Sequence, residues 1–259
     1  MIIKKSRAEI ERMARAGALV AKAHEAIAEI VAPGVSTLDL DRVAEKVITS
    51  AGAVPSFKGY RGFPATLCTS RNDEIVHGIP SADAVLTEGD VISIDCGAIV
   101  DGFHGDSAVT LIVGGADTVD PSVAELVEQT RVAMWRGLDQ ARSGNRLGDI
   151  GAAVEAVAVA HGYGVVREYV GHGVGRALHE DPSVPNYGVA GKGLKLSPGW
   201  VIAIEPMFNL GGEETVTLDD EWTVVTADGT VSAHWEHTVA VTEDGPWVLT
   251  ARSDERSRL

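Results

Sequence analysis

Seven side chains in this sequence could do chemistry together. Asp95 and Asp106 stand on either side of an Asp101-Gly102 dipeptide. Asp-Gly between apolar runs predicts a two-residue β-hairpin turn. In such a hairpin every second residue shares a face, which puts Asp95 and Asp106 on one face, directly opposite or diagonally adjacent. Like charges so placed repel, and two such carboxylates call for a shared proton or a cation. A solvent-facing edge hairpin is the bland alternative. Val91, Ile92, Ile94 and Cys96 on the strand of Asp95 count against it. Glu205 ends the run VIAIE, and Glu236 sits in HWEHTVAV. A charge after an apolar β run is costly to bury without a partner. His172 and His179 lie in GHGVGRALHE, among glycines that let backbone approach a site closely. His77, in NDEIVHGIP, is a candidate on spacing alone.

Asp95, Asp106, His172, Glu205 and Glu236 together supply four carboxylates and an imidazole. That oxygen-rich set suits divalent Mn, Fe, Co or Zn, and two carboxylates can bridge two ions. The sequence has no Walker loop, no GxGxxG between strand and helix and no GxSxG elbow, so phosphate-cradling and serine-nucleophile chemistry have no support.

The elements that must position these groups follow from local signals. Ser6 and Glu9 form a capping-box signature, and a helix runs from there to about Val31, where Pro33-Gly34 stops it. A second helix starts near Thr37 with Leu40, Val43 and Val47 as its apolar stripe and Gly52 just past its end. Residues 54–80 read as irregular chain with short strands, and 91–113 as a β-hairpin. A Gly/Asp/Pro linker covers 114–121. Helices at about 121–142 and 147–161 then lead into a strand-rich remainder, and Ser253–Leu259 reads as a solvated tail.

The chain also repeats itself. LTEGDVISID at 86–95 and LSPGWVIAIE at 196–205 share five of ten residues at an offset of 110, and both end in a carboxylate. At the same offset Gly34 meets Gly144, Asp39 meets Asp149, Glu45 meets Glu155 and Gly52 meets Gly162. A period this long is no solenoid. It predicts an α+β fold of two related halves, about 1–114 and 115–252, packed around a pseudo-two-fold axis within one catalytic domain of residues 1–259.

Composition narrows the function further. The 259 residues include 37 acidic and 22 basic side chains, a formal charge of −15 at pH 7. That balance disfavours nucleic acid and anionic membrane surfaces, which need clustered Lys and Arg. No stretch approaches the roughly 20 apolar residues of a membrane span. Glu9 and Glu11 follow Lys4, Lys5 and Arg7 too closely for a secretory signal. Cys68 and Cys96, the two cysteines, form no CxxC pair, which points to a reducing, cytoplasmic compartment.

Five ordered motifs carry a resemblance across nearly the whole chain: GYRGFPATLCTSRNDEIVHGIP (59–80), VISIDCGAIVDGFHGDSA (91–108), GHGVGRALHEDP (171–182), VIAIEPM (201–207) and SAHWEHTVAVT (232–242). In these the chain resembles the type I methionine aminopeptidases of the pita-bread superfamily, in the short form without zinc-finger cysteines. The resemblance implies the pita-bread fold, with helices packed on a curved antiparallel sheet in each half. It implies removal of N-terminal methionine, favouring a small second residue.

Carried over by residue, the resemblance implies two divalent ions (Co, Mn, Fe or Zn) on Asp95, Asp106, His172, Glu205 and Glu236. Asp106 and Glu236 would bridge, Asp95 would complete one site, and His172 and Glu205 the other. A water between the ions would attack the first peptide carbonyl as hydroxide. Glu205 would shuttle the proton, His179 would stand near the carbonyl oxygen and His77 near the scissile nitrogen. Tyr60, Phe63, Cys68, His77 and Trp222 would wall the methionine pocket, though without the motif they would read as core packing. Phe57, Val76 and Leu178 depart from residues common in the family and put pocket shape in question. Nascent polypeptide N-termini are the expected partners, with at most a local, transient ribosome contact and a monomeric state. A prolidase-like enzyme is the nearest alternative, but only about 85 residues precede the first repeat strand.

Overall fold

Helix α1 (Arg7–Ala28) shows how local sequence sets the frame. The Ser6 N–H donates to the Glu9 carboxylate at 2.9 Å, and the Glu9 N–H donates back to Ser6 Oγ. Its buried residues include Ile10, Met13, Gly17, Val20, His24 and Ile27, one face of a 3.6-residue period. Helix α2 (Thr37–Ser50) starts on a second capping box, Ser36 with Asp39. Its buried stripe is Leu40, Ala44 and Ile48; Val43 and Val47, expected to lead it, are half-buried at its border. The computed structural model describes residues 1–258 and, for side chains, 1–255. Leu259, the end of the expected tail, lies outside the described residues.

The first half continues through β1 (Val54–Pro55), β2 (Leu67–Arg71), β3 (Glu74–Val76), β4 (Val91–Val100) and β5 (Phe103–Ile112). The second half opens with α3 (Pro121–Gln140) and α4 (Leu147–His161). Short strands follow: β6 (Gly164–Val165), β7 (Gly171–Gly173), β8 (Glu180–Val184), β9 (Val201–Ile204) and β10 (Met207–Asn209). The chain then forms β11 (Thr215–Thr217), β12 (Val224–Thr226), β13 (Ser232–His234), β14 (His237–Thr242) and β15 (Gly245–Val248).

The β4–β5 hairpin turns at Asp101-Gly102, both at positive φ, as a two-residue turn requires. β4 carries β1 and β2 on one edge and β5 on the other. The larger second sheet runs β15-β14-β9-β7-β8, all antiparallel where paired. α1 lies across β4 and β5, while α3 lies against β9, β10 and β13. This is the α+β pita-bread arrangement of two pseudo-symmetric halves.

The repeat appears in hydrogen bonds as well as letters. Isolated bridges join Ser36 to Val85 and Arg146 to Lys195, each residue shifted by the same 110. The Gly34 N–H donates to the Leu86 carbonyl at 2.8 Å, and the Gly144 N–H to that of Leu196 at 3.1 Å. Both glycines stand at positive φ, 91° and 98°, where a side chain would be strained.

The halves are stitched along β5. Thr238 Oγ1 donates to the Asp106 carbonyl at 2.8 Å, the Glu236 N–H to the Ala108 carbonyl at 3.0 Å, and Thr110 Oγ1 to the His234 carbonyl at 2.7 Å. One segment of the tail departs from expectation. Glu255 is buried, accepting from the Arg252 N–H at 3.0 Å and lying 3.2 Å from His237 Nε2. The need of the buried Arg252 guanidinium and of His237 Nε2 for an anionic partner outweighs the tail's polar composition. Among the described residues no helix is long and apolar enough to cross a membrane.

Candidate metal centre and active site

The stitched seam delivers the carboxylates to one place. Asp95 stands on β4, Asp106 on β5, Glu205 just past β9 and Glu236 between β13 and β14. His172 comes from β7, the neighbour of β9. Its Nδ1–H donates to the Gly173 carbonyl at 2.9 Å, leaving the Nε2 lone pair free to face the acids. Nε2 lies 3.5 Å from Glu205 Oε1 and 3.7 Å from Asp106 Oδ2. Ligand atoms of Asp106, His172 and Glu236 all fall within 4.8 Å of one another.

The electrostatics of this cluster are unfavourable for protein alone. Burial pushes Asp106 up to about 7. Burial, and then the Asp106 charge, hold Asp95, Glu205 and Glu236 well above the carboxylate range. Among the described residues none of the four is paired with a lysine or arginine. Asp95 Oδ1 and Asp106 Oδ1 are buried with no hydrogen-bond partner among the described residues. Burial, with His179 nearby, takes His172 down to about 3, so it stays neutral and able to ligate. Carboxyl groups that lack a cationic partner, beside a neutral imidazole, fit divalent cations, which would draw them into the ionised form.

The remaining predicted residues line the same cavity of about 330 Å³. His179 shares a 2.9 Å hydrogen bond between Nδ1 and the Tyr60 hydroxyl, and its ring lies 4.1 Å from that of His172. Burial, then Arg61, lower its pKa. His77 stands in the left-handed region at φ 62°, a strained conformation that the surroundings must impose. Its ring meets Tyr169 and Trp222 edge-on, and burial takes it down to about 4. Phe63 and Cys68 pack with Phe57, Ala65 and Leu178, against Tyr60 and Trp222. Two of the three departures, Phe57 and Leu178, thus face the cavity. Val76 packs behind it with Ile75, Val166, Met207 and Val224.

Several residues here escaped sequence reasoning. Arg61, Glu168 and Tyr169 line the cavity. His234 is 2 % exposed, with Nε2 3.8 Å from Glu205 Oε2. His104 is buried and bonded through Nδ1 to Ser56 Oγ at 2.9 Å. His104 and His234 each stand two residues before a site carboxylate on extended chain, so period-2 alternation was the available signal.

The model of metallopeptidase family M24 matches residues 11–243. Methionine aminopeptidase 1 of Mycobacterium tuberculosis is 50% identical over 256 residues, 96% of this chain and 95% of that protein. The methionine aminopeptidase of Clostridium acetobutylicum is 49% identical over 250 residues, 96% of this chain and 99% of that one. The crystal structure of methionine aminopeptidase from Thermotoga maritima superposes with a TM-score of 0.94 at 42% identity, covering 97% of this chain and 100% of that one.

With a buried acid cluster at the seam of a pita-bread fold, the chain belongs to metallopeptidase family M24. Within that family its similarity to the methionine aminopeptidases runs nearly end to end.

Proposed function

We propose that this chain is a methionine aminopeptidase that removes the N-terminal methionine of nascent proteins and peptides, favouring a small second residue. The observation that carries the reading is one cavity with two unlike ends. The buried Asp106 and Glu236, the partly buried Asp95 and Glu205, and His172 form one, and an aromatic wall of Phe57, Tyr60, Phe63 and Trp222 the other. The wall suits an unbranched apolar side chain, and the acidic end suits a free α-amine, restricting cleavage to the first peptide bond.

Asp95, Asp106, His172, Glu205 and Glu236 would hold two divalent ions. Such ions, when bound, make water a nucleophile near neutral pH and polarise a carbonyl. Glu205 would take a proton from the attacking water and return it to the leaving amine. His179, at the cavity mouth and held by Tyr60, would donate to the developing oxyanion. His77 would stand by the scissile nitrogen. Both halves contribute ligands, so residues 1–259 would act as one catalytic unit, as a monomer meeting nascent chains with only transient ribosome contact. Two buried free thiols, Cys68 and Cys96, favour a cytoplasmic setting.

Mass spectrometry of a peptide panel varied at positions one and two, with and without chelator, tests the reading. Release of methionine from Met-Ala-Ser that a chelator abolishes and a divalent metal restores is expected. Cleavage that survives thorough metal removal, or that prefers proline second and tolerates other first residues, would overturn it.

A further inference from the structure

Glu205 is bracketed by two imidazoles, one for each oxygen. His172 Nε2 lies 3.5 Å from Oε1, and His234 Nε2 lies 3.8 Å from Oε2. We infer that His234 is a positioning residue for Glu205, donating from Nε2–H to Oε2 and so keeping Oε1 turned toward His172 and Asp106. The inference rests on the reading of Glu205 as proton shuttle and ligand.

Three observations carry it. The Nε2 atom of His234 is buried and has no hydrogen-bond partner among the described residues, although buried donors of this kind are costly to leave unpaired. A shift of roughly 0.6 Å brings the pair within hydrogen-bonding range. The backbone of His234 is pinned: its N–H donates to Thr110 Oγ1 at 2.9 Å, and the same hydroxyl donates to its carbonyl at 2.7 Å. On the other side His234 pairs with Met207, two residues beyond Glu205, so the β10–β13 ladder sets the distance between the two side chains. The Glu205 carbonyl accepts from Asn186 Nδ2 at 3.0 Å. Two anchored backbones thus aim a donor without a partner at the carboxylate.

A carboxylate held on one oxygen cannot rotate to present both to the cavity. A neutral N–H donor of similar reach should therefore replace His234, whereas an apolar side chain of similar size should not. His234→Leu and His234→Gln make that comparison, with His234→Asn as a donor too short to reach Glu205. Calorimetric Mn²⁺ affinity, kcat and KM on Met-Ala-Ser peptide, and the circular-dichroism melt would be measured for each. The leucine and asparagine variants should lose about 10–100-fold in kcat and in Mn²⁺ affinity. KM should stay within about 3-fold, because the lost contact orients a reacting group and does not hold the peptide. The glutamine variant should recover most of both. If leucine does not fold, the glutamine–asparagine pair decides alone. Leucine matching wild type, or glutamine as impaired as asparagine, would overturn the assignment.

A metal-free readout separates this from the functional reading. In protein labelled with ¹⁵N-histidine, the Nε2 proton of His234 should give a protected signal that shifts in Glu205→Ala. No shift means no bond, whatever the enzyme does. Absence of methionine release by the wild type would sink the function while leaving that spectrum to judge the pair.

Discussion

Asp95 and Asp106 stand one diagonal step apart on the same face of the β4–β5 ladder. Asp95 pairs with Ala108 and Asp106 with Gly97, so neither acid has the other directly opposite. The diagonal brings the two carboxyl groups within hydrogen-bonding reach of each other. The seam then brings the second half in, because the carbonyl of Ala108 accepts from the Glu236 N–H at 3.0 Å. A hairpin register and one cross-half hydrogen bond thus collect three of the four acids.

Collecting them has a pH signature. Asp106 rises to about 7 from an ordinary value of 3.8, so in the metal-free protein its favourable contribution is present in acid and lost as pH rises from about 4 to 7. His172, lowered to about 3 from 6.5, contributes oppositely: its stability is present above about 6.5 and lost as pH falls toward 3. A divalent ion binds the deprotonated acids, so it should stabilise more at about pH 8 than at about pH 5.5. Calorimetric scans with saturating Mn²⁺ should show a Tm increment of about 5–10 °C at the higher pH when the ion is at a hundredfold its Kd. The increment should shrink in acid. One independent of pH would mean these carboxylates are not the ligands.

Glu205→Gln preserves shape and removes the proton-accepting oxygen. We expect a far-ultraviolet circular-dichroism spectrum like that of the wild type and a kcat lower by about 10²–10⁴-fold. Methionine release would be followed on a saturating Met-Ala-Ser peptide with excess Mn²⁺, so that weakened loading does not masquerade as lost chemistry. Near wild-type turnover would take the proton shuttle away from Glu205.

What could be read from the sequence was local or periodic. Ser6–Glu9 capping, the Asp101-Gly102 turn and the 110-residue offset each leave a signature in neighbouring letters, and each reappears in hydrogen bonds. The cavity-lining acids were legible because apolar strands ending in carboxylates are energetically odd. Contacts across the seam were not. Nothing near Thr110 announces that its hydroxyl holds His234, 124 positions away in sequence. The stripe of α2 lies one step from where Val43 and Val47 point, because these look more apolar than Ala44, yet the small Ala44 is the residue the core admits. Glu255 was hidden by its polar neighbours, since only the fold reveals His237 and Arg252 waiting beneath it.

Glu255 supplies a stability test. It is pulled down to about 2 by His237 and Arg252 against the opposing effect of burial. A depressed carboxylate contributes above its unfolded value near 4.5 and loses that contribution as pH falls toward 2. Glu255→Ala leaves the Arg252 guanidinium, nearly buried, without its carboxylate, and should cost about 3–5 kcal/mol at neutral pH. Chemical denaturation at about pH 7 and about pH 3 should show that difference narrowing in acid. Equal losses at both would mean that the ion pair is not the source.

Gly105 offers a test of how the fold holds the site. It sits on β5 beneath α1, beside Asp106 in the chain, and a Cβ there would come within 2.6 Å of the Gly17 nitrogen and 2.9 Å of the Ala16 carbonyl carbon. These are helix backbone atoms, so no side-chain rotation relieves the clash; either α1 lifts or β5 bends. Overpacking of this kind costs about 1–3 kcal/mol, and for a chain of this size that lowers Tm by about 2–12 °C. If β5 bends, Asp106 moves with it, and Mn²⁺ affinity should fall together with Tm. If α1 lifts, Tm falls and affinity holds. Calorimetry on Gly105→Ala therefore locates the yielding element, and a variant unchanged in both would show that the close approach of α1 to β5 is not needed in solution.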